Sequence, residues 1–376
     1  MASVELHIRI DNTYIPILSI PVDDCNRFAL NPLRWLRFLG YAIYGSQGHI
    51  SATADGPLVD YESAVEGGAH YYFTSAAAPR LLDVRCTDNR TSDAETTESR
   101  AGFRANLQGR DGSCIVTNAP PLLCVGAHIY PHSKGSEYLS RLMANRGDGL
   151  PNIDDINDIR NGLLLVQVLH TVFGLGQVAF LKTPNFAMND DDIPPSPGPI
   201  LGPPSASPGR FILQHFTPQH EYIKSQSPHN QDARLPADMS QFPPSIIVDM
   251  FYGCAAVLRW GILQAADAIE LSVGSLYYDE TGSGESNSSG EAGDGTDDIE
   301  AARSPTPVET PRSKRAKAWA SRHCDQSEPR LRTIDEAMDL VMLLWSRSGP
   351  KHQEKPPPTQ EEDSRQDRVH AWLQTQ

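Results

Sequence analysis

The chain has 376 residues, with 32 Lys and Arg against 47 Asp and Glu, a formal net charge of −15 at pH 7, and 39% hydrophobic residues. That is enough length for two modest domains or one domain with long appendages, and the 30 prolines and 28 glycines exclude a chain packed end to end. Taken alone, the acidic balance argues against nucleic acid as a partner. Eight acidic residues, however, lie between Asp279 and Glu300 with no Lys or Arg among them, and between Arg100 and Asp190 eight basic residues meet seven acidic ones.

Residues 3–22 alternate as two strands around a turn at Asp11 and Asn12. "NPLRWLRFLGYAIYG" predicts a helix over 31–45, with Asn31 as N-cap, Pro32 at the first helical position and Gly45 near the stop. "HYYFTS" (70–75) reads as a strand, so residues 1–95 form a small α/β module that ends in a polar connector. A helix in "TESRAGFRANLQGRDG" leads to apolar strands at 113–117 and 122–126. Then come a helix in "KGSEYLSRLMANR", a strand in "NGLLL", a short helix in "VQVLHTVFG" and a strand in "GQVAFLK". Beyond a proline-rich stretch at 190–209, "RFILQHF" resumes as a strand. Residues 245–271 read as one long buried helix. It has the length of a membrane span, but Asp249, Arg259, Gln264, Asp267 and Glu270 exclude that reading.

Residues 276–332 are acidic and then rich in Ser and Pro, which predicts a disordered linker. An amphipathic helix follows within 333–347, with Thr333 and Glu336 forming a capping box, and residues 348–376 are a polar disordered tail. Cysteines at 25, 86, 114, 124, 254 and 324 show no CxxC pair, which excludes a zinc ribbon. The N-terminus lacks the basic and long apolar regions of a secretory signal, which predicts an intracellular, reducing compartment. Ser304, Thr306 and Thr310 are each followed by proline and precede the basic cluster at 314–317. That cluster reads as a nuclear-import signal or, equally, as a solvated patch balancing the acidic tract; without import the location is cytoplasmic.

Two apolar runs end on histidine, at His128 and His170, and Asn161 opens the second. A strand that ends on a histidine presents its imidazole at a loop mouth. A short helix after the next strand can present a second histidine to the same point, and an Asn at a strand start can fix a loop or hold a water. Such groups can gather around one divalent ion, while a neutral histidine takes a proton from attacking water. Each histidine also has a plainer reading as a hydrogen-bonded boundary residue. His132 and Lys134 are candidate phosphate contacts or solvated loop residues.

The pieces "RDGSCIVTN", "AHIYPHSKGSEYL", "DIRNGLLL", "LH" and "GQVAFLKTPNF", between residues 110 and 182, resemble the HNH nuclease domain with its ββα-metal core, and most of all the variant found in mushroom-forming fungi. The resemblance implies an α+β fold. An HNH-like core would lie inside a larger mixed domain over 96–275, beside the small N-terminal α/β module and the disordered acidic C-terminal region. It further implies His128 as general base, Asn161 as the catalytic residue that orients the loop, and His170 as a ligand of one divalent ion (Mg²⁺, Mn²⁺, Ni²⁺ or Zn²⁺). The implied reaction is phosphodiester hydrolysis in nucleic acid, DNA ahead of RNA. Two positions depart from the pattern: Ala127 stands where many such sites have Asp or Glu, and Gly174 where relatives often have Asp. Asp158 is the replacement metal ligand, ahead of Asp154 and Asp155. The alternative is a catalytically decayed HNH-fold binding or scaffold protein, with helix 333–345 docking a protein partner and no membrane involved.

Overall fold

In the computed structural model the described residues are 2–10, 12–88, 98–147, 152–198, 209–236 and 238–278, all within the compact unit spanning 1–293. Alternation carries Val4, Leu6 and Ile8 of Ser3–Ile10 (β1) and Ile20 of Thr13–Pro21 (β2) into the core. The two strands pair antiparallel with a register irregularity between Leu6 and His7, and Asn12 turns the chain at φ 64°. Val22–Phe28 (α1) precedes Pro32–Tyr44 (α2), which ends where Gly45 turns left-handed at φ 88° and donates to the Tyr41 carbonyl. Asn31 holds the N-cap position, but its side chain accepts no helix N–H; its Nδ2 donates to Asp192 Oδ1 at 2.6 Å instead. His49–Ser51 (β3) and His70–Thr74 (β4) complete a four-stranded sheet ordered β2-β1-β4-β3, with β1 and β4 parallel. Gly40 of α2 comes so close to this sheet that a Cβ there would meet the Phe73 ring at 2.3 Å.

Glu98–Asp111 (α3) leads not to a strand but to a turn: Asn118, at φ 56°, donates its N–H to Cys114 O at 2.9 Å, and 113–117 never extends. Ile115 and Val116 are buried all the same, so the apolar run was core in a turn, not in a strand. Cys124–His128 (β5), Gly135–Arg146 (α4), Gly162–Val166 (β6) and Gln167–Gly174 (α5) follow, β5 and β6 pairing as an antiparallel hairpin. Val178–Thr183 (β7), Arg210–His215 (β8) and Gln231–Asp232 (β9) make a sheet ordered β7-β8-β9, with Glu221–Gln226 (α6) in the connection from β8 to β9.

Residues 245–271 are two helices, Ser245–Trp260 (α7) and Leu263–Tyr277 (α8), rather than one. Gly261 bridges to Leu18 and Ile262 donates to Ile17 O at 2.9 Å, so β2 captures the backbone groups that would have continued the helix. Among the described residues no helix is long and apolar enough to cross a membrane. The protein is α+β, and α7 is its hub, packing on α2, β2 and β7. The five described cysteines are buried free thiols. The expectations for 89–97, 279–332, 333–347 and 348–376 fall outside the described residues.

Asp249 sits buried in α7 with no hydrogen-bond partner at Oδ1, and burial pushes its carboxyl up to about 7, against the weaker opposing pull of Lys182 and Arg146. The unfolded chain ionises this carboxyl near its ordinary value. Between the two values the folded state therefore holds the extra proton, and stability falls as pH rises from about 4 to 7, by on the order of 4 kcal/mol for a gap of about three units. Asp249→Asn removes that loss. In urea unfolding it should gain on the wild type steadily over this range and match it near pH 4; a gap independent of pH would refute the assignment.

Candidate nuclease site

The hairpin register places His128 opposite Gly162 and Ala127 opposite Leu163. Opposed residues share a face, so His128 emerges on the side of Gly126 and Gly162, and Ala127 on the other. The His128 face is covered by α3. The His128 ring stacks on Phe103 at 3.8 Å and 8°, and a Cβ at Gly162 would meet the same phenyl ring at 2.3 Å. Glycine at 162 is thus what lets α3 brace the histidine. His128 Nε2 lies 3.1 Å from Asn157 Oδ1, and the His132 ring stands edge-on to it at 5.9 Å.

Asn161 is fully buried. Its Oδ1 accepts from Tyr130 N at 3.0 Å, and its Nδ2 donates to Tyr130 O at 3.1 Å and to Ile156 O at 3.0 Å. Its own carbonyl accepts from Ile129 N at 2.8 Å. One amide therefore ties the segment after His128 to the segment before β6, with every side-chain group satisfied. The Tyr130 hydroxyl extends the tie to Ile247 O in α7 at 3.0 Å.

The residues that sequence alone did not single out are Phe103, Asn157 and Arg110. Arg110 chelates Asp111 and donates to the carbonyls of Ile159, Gly162 and Gln241, while Asp111 accepts from Leu164 N at 3.0 Å. The adjacent Arg-Asp pair in "GRDG" was visible, but nothing local announced its distant partners. Beside this pair opens a shallow cleft of about 610 Å³ lined by Ala105, Asn106, Gly109, Arg110, Asn157, Asp158, Ile159 and Gln241. Asn157 both lines the cleft and holds His128.

The other expected site residues go elsewhere. His170 lies half-buried on α5, whose Phe173 lines a small apolar gap with Leu163. That helix serves the face of the hairpin opposite to His128. Asp158 is held by Arg160, through Nε at 3.0 and 3.1 Å and Nη2 at 2.5 Å, and also caps the Arg160 N–H. Burial acts to raise its carboxyl, but the hydrogen bonds and charge of Arg160 prevail and hold it below the usual carboxylate range. Lys134 is turned inward rather than toward a phosphate: its ammonium donates to Tyr278 OH at 2.6 Å, lies 3.9 Å from Asp83 and rests over the Tyr138 and Tyr278 rings. Among the described residues His128, Asp158 and His170 do not gather ligand atoms into one group. A hard divalent ion wants several oxygen donors, and a lone imidazole with a carboxylate already committed to arginine does not fit it.

Residues 114–181 match the family model described as HNH endonuclease. No curated protein and no solved structure matches the chain.

Asn161→Ala should cost about 2–4 kcal/mol in urea unfolding, because it strands three buried backbone groups as well as losing their bonds. A cost below about 0.5 kcal/mol would mean that the loop is held by something else.

Proposed function

We propose that residues 114–181 act as an HNH-type endonuclease domain that hydrolyses phosphodiester bonds in nucleic acid, DNA ahead of RNA. The observation that supports this reading best is His128, at the end of the first hairpin strand of a family-matching segment, stacked on Phe103 and held through Asn157 at the rim of an open polar cleft. In this reading His128 accepts the proton of an attacking water. Asn161 acts through the loop it clamps, fixing Tyr130 and thereby the exit of the chain from His128. Stacking removes rotamer freedom from the imidazole before substrate arrives, which is the order a general base needs. The His132 ring stands 5.9 Å from that of His128, and in this reading a phosphate contact falls to it rather than to the inward-turned Lys134.

Among the described residues the ion expected for such chemistry has no complete ligand set at the hairpin, and no step is routed through it. That same observation favours the second reading, a catalytically decayed HNH-fold binding or scaffold protein: Ala127 supplies no ligand, and Asp158 is neutralised by Arg160.

Plasmid cleavage by the full chain separates the two. The wild type should nick DNA with one of Mg²⁺, Mn²⁺, Ni²⁺ or Zn²⁺, and His128→Ala should lower the rate by roughly 10²–10⁴-fold, the range for losing a general base. His170→Ala tests the ligand role beside it. A wild type inert with all four ions, or nicking equal in His128→Ala, would leave the scaffold reading standing.

A further inference from the structure

Glu5 and His7 lie two residues apart on β1 and so on one face of the sheet, and the parallel register sets His70, the first residue of β4, directly beside Glu5. Val4, Leu6, Tyr71 and Phe73 point the other way, into the core. Three atoms converge on the outer face. His7 Nε2 is 3.0 Å from His70 Nδ1 and 3.3 Å from Glu5 Oε2, and His70 Nδ1 is 3.2 Å from that same oxygen.

With Glu5 ionised, protons cannot satisfy this triangle. If both nitrogens carry hydrogen, both bond to Glu5 but oppose each other at 3.0 Å. If one nitrogen is bare, its lone pair faces the carboxylate. In either case one of the three contacts is repulsive. A cation at the centre turns all three into attractions, because each atom then points a lone pair inward. The size also fits: ligands about 2.0–2.1 Å from a tetrahedral ion stand roughly 3.3–3.4 Å apart, close to the spacing observed.

We propose that Glu5, His7 and His70 form a binding site for a divalent cation of the zinc type. Two imidazoles and one carboxylate suit Zn²⁺ better than Mg²⁺ or Ca²⁺, which prefer oxygen donors in larger number. Tyr72 stacks on His7 at 4.7 Å and closes one side, leaving the His7 side chain 11% exposed, whereas those of Glu5 and His70 are 37% and 51% exposed. The opening lies on the Glu5 and His70 side, where water or an incoming ligand completes the coordination. Burial, and after it the neighbouring His70, lower the His7 pKa against the pull of Glu5, a direction that favours the neutral imidazole. The ion would also lock β1 to β4 across 63 residues of chain, a link independent of the hairpin site.

The test uses the full chain, stripped by a chelator and titrated with Co²⁺ and then Zn²⁺. The wild type should bind Co²⁺ with the intense visible absorption of tetrahedral coordination, displaced by Zn²⁺, and Zn²⁺ should raise its Tm. His70→Ala, at a half-exposed position, and Glu5→Gln, which keeps the side-chain shape, should fold but lose the absorption and the Tm shift. Their affinity should fall by at least about 10–100-fold, the loss known for outer-shell partners alone. The double variant His128→Ala, His170→Ala should retain the site, which separates it from the hairpin. No tetrahedral absorption in the wild type, or absorption undiminished in both His70→Ala and Glu5→Gln, would overturn the proposal.

Discussion

The hydroxyl of Tyr252, at the middle of α7, accepts from Trp35 Nε1 at 2.8 Å and donates to Gln214 Oε1 at 2.5 Å. Gln214 Nε2 passes the chain on to Phe28 O at 2.8 Å and Asn230 Oδ1 at 2.7 Å. The neighbouring helices α1 and α2 are thus fixed to β8 and α7, far along the chain, by one file of buried hydrogen bonds. The rings of Phe28, Phe216 and Trp260 pack against one another beside it. At the C-terminal end of α2, the buried guanidinium of Arg146 donates to the carbonyls of Ala42 and Ile43 and to that of Arg80 in the loop beyond the helix. The position of α4 therefore follows from where α2 ends. With α4 placed, the loop that carries His132 and Lys134 is placed as well.

This frame reaches the candidate site from outside the family-matching segment. Tyr130 is tied to α7, His128 is stacked by α3, and Arg110 of α3 gathers the carbonyls on both sides of Asn161. The hairpin brings its own histidine and asparagine, but their orientation is imposed by helices at 98–111 and 245–260. A ββα unit cut out at 114–181 would lose the ring beneath His128 and the guanidinium beside Asn161. The flanking sequence is part of the site rather than its packaging.

What the sequence reveals follows the range of the forces involved. β1, β2, α2, the hairpin and α5 are legible because alternation, Pro32, Gly45 and the Asn-Gly pair act within a few residues. The turn at 113–117 was misread because Ile115 and Val116 are buried by contacts from elsewhere, and an apolar run does not declare its backbone. The break at Gly261 depends on β2, some 240 residues earlier, offering Ile17 O. Asn161 was legible as a loop-fixing amide; its three partners were not. Lys134 is drawn inward for a nonlocal reason, by Asp83 and Tyr278. Asp158 is different: Arg160 is two residues away, and its claim on the carboxylate could have been read from "DIR".

These pairings also decide what the cleft can offer a substrate. Arg110 is matched by Asp111, Arg160 by Asp158, and Lys134 is withdrawn near Asp83. The charges around the hairpin thus largely cancel within the protein, in a chain whose formal net charge is −15. Long-range attraction of a polyanion is therefore weak, and few phosphates can be neutralised directly. What remains at the surface of the cleft are uncharged amides, Asn106, Asn157 and Gln241, with the exposed Arg104 nearby on α3. Amides hydrogen-bond sugar, phosphate and base edges at close range, so under the proposed nuclease reading recognition at this cleft would rest on fit once contact is made.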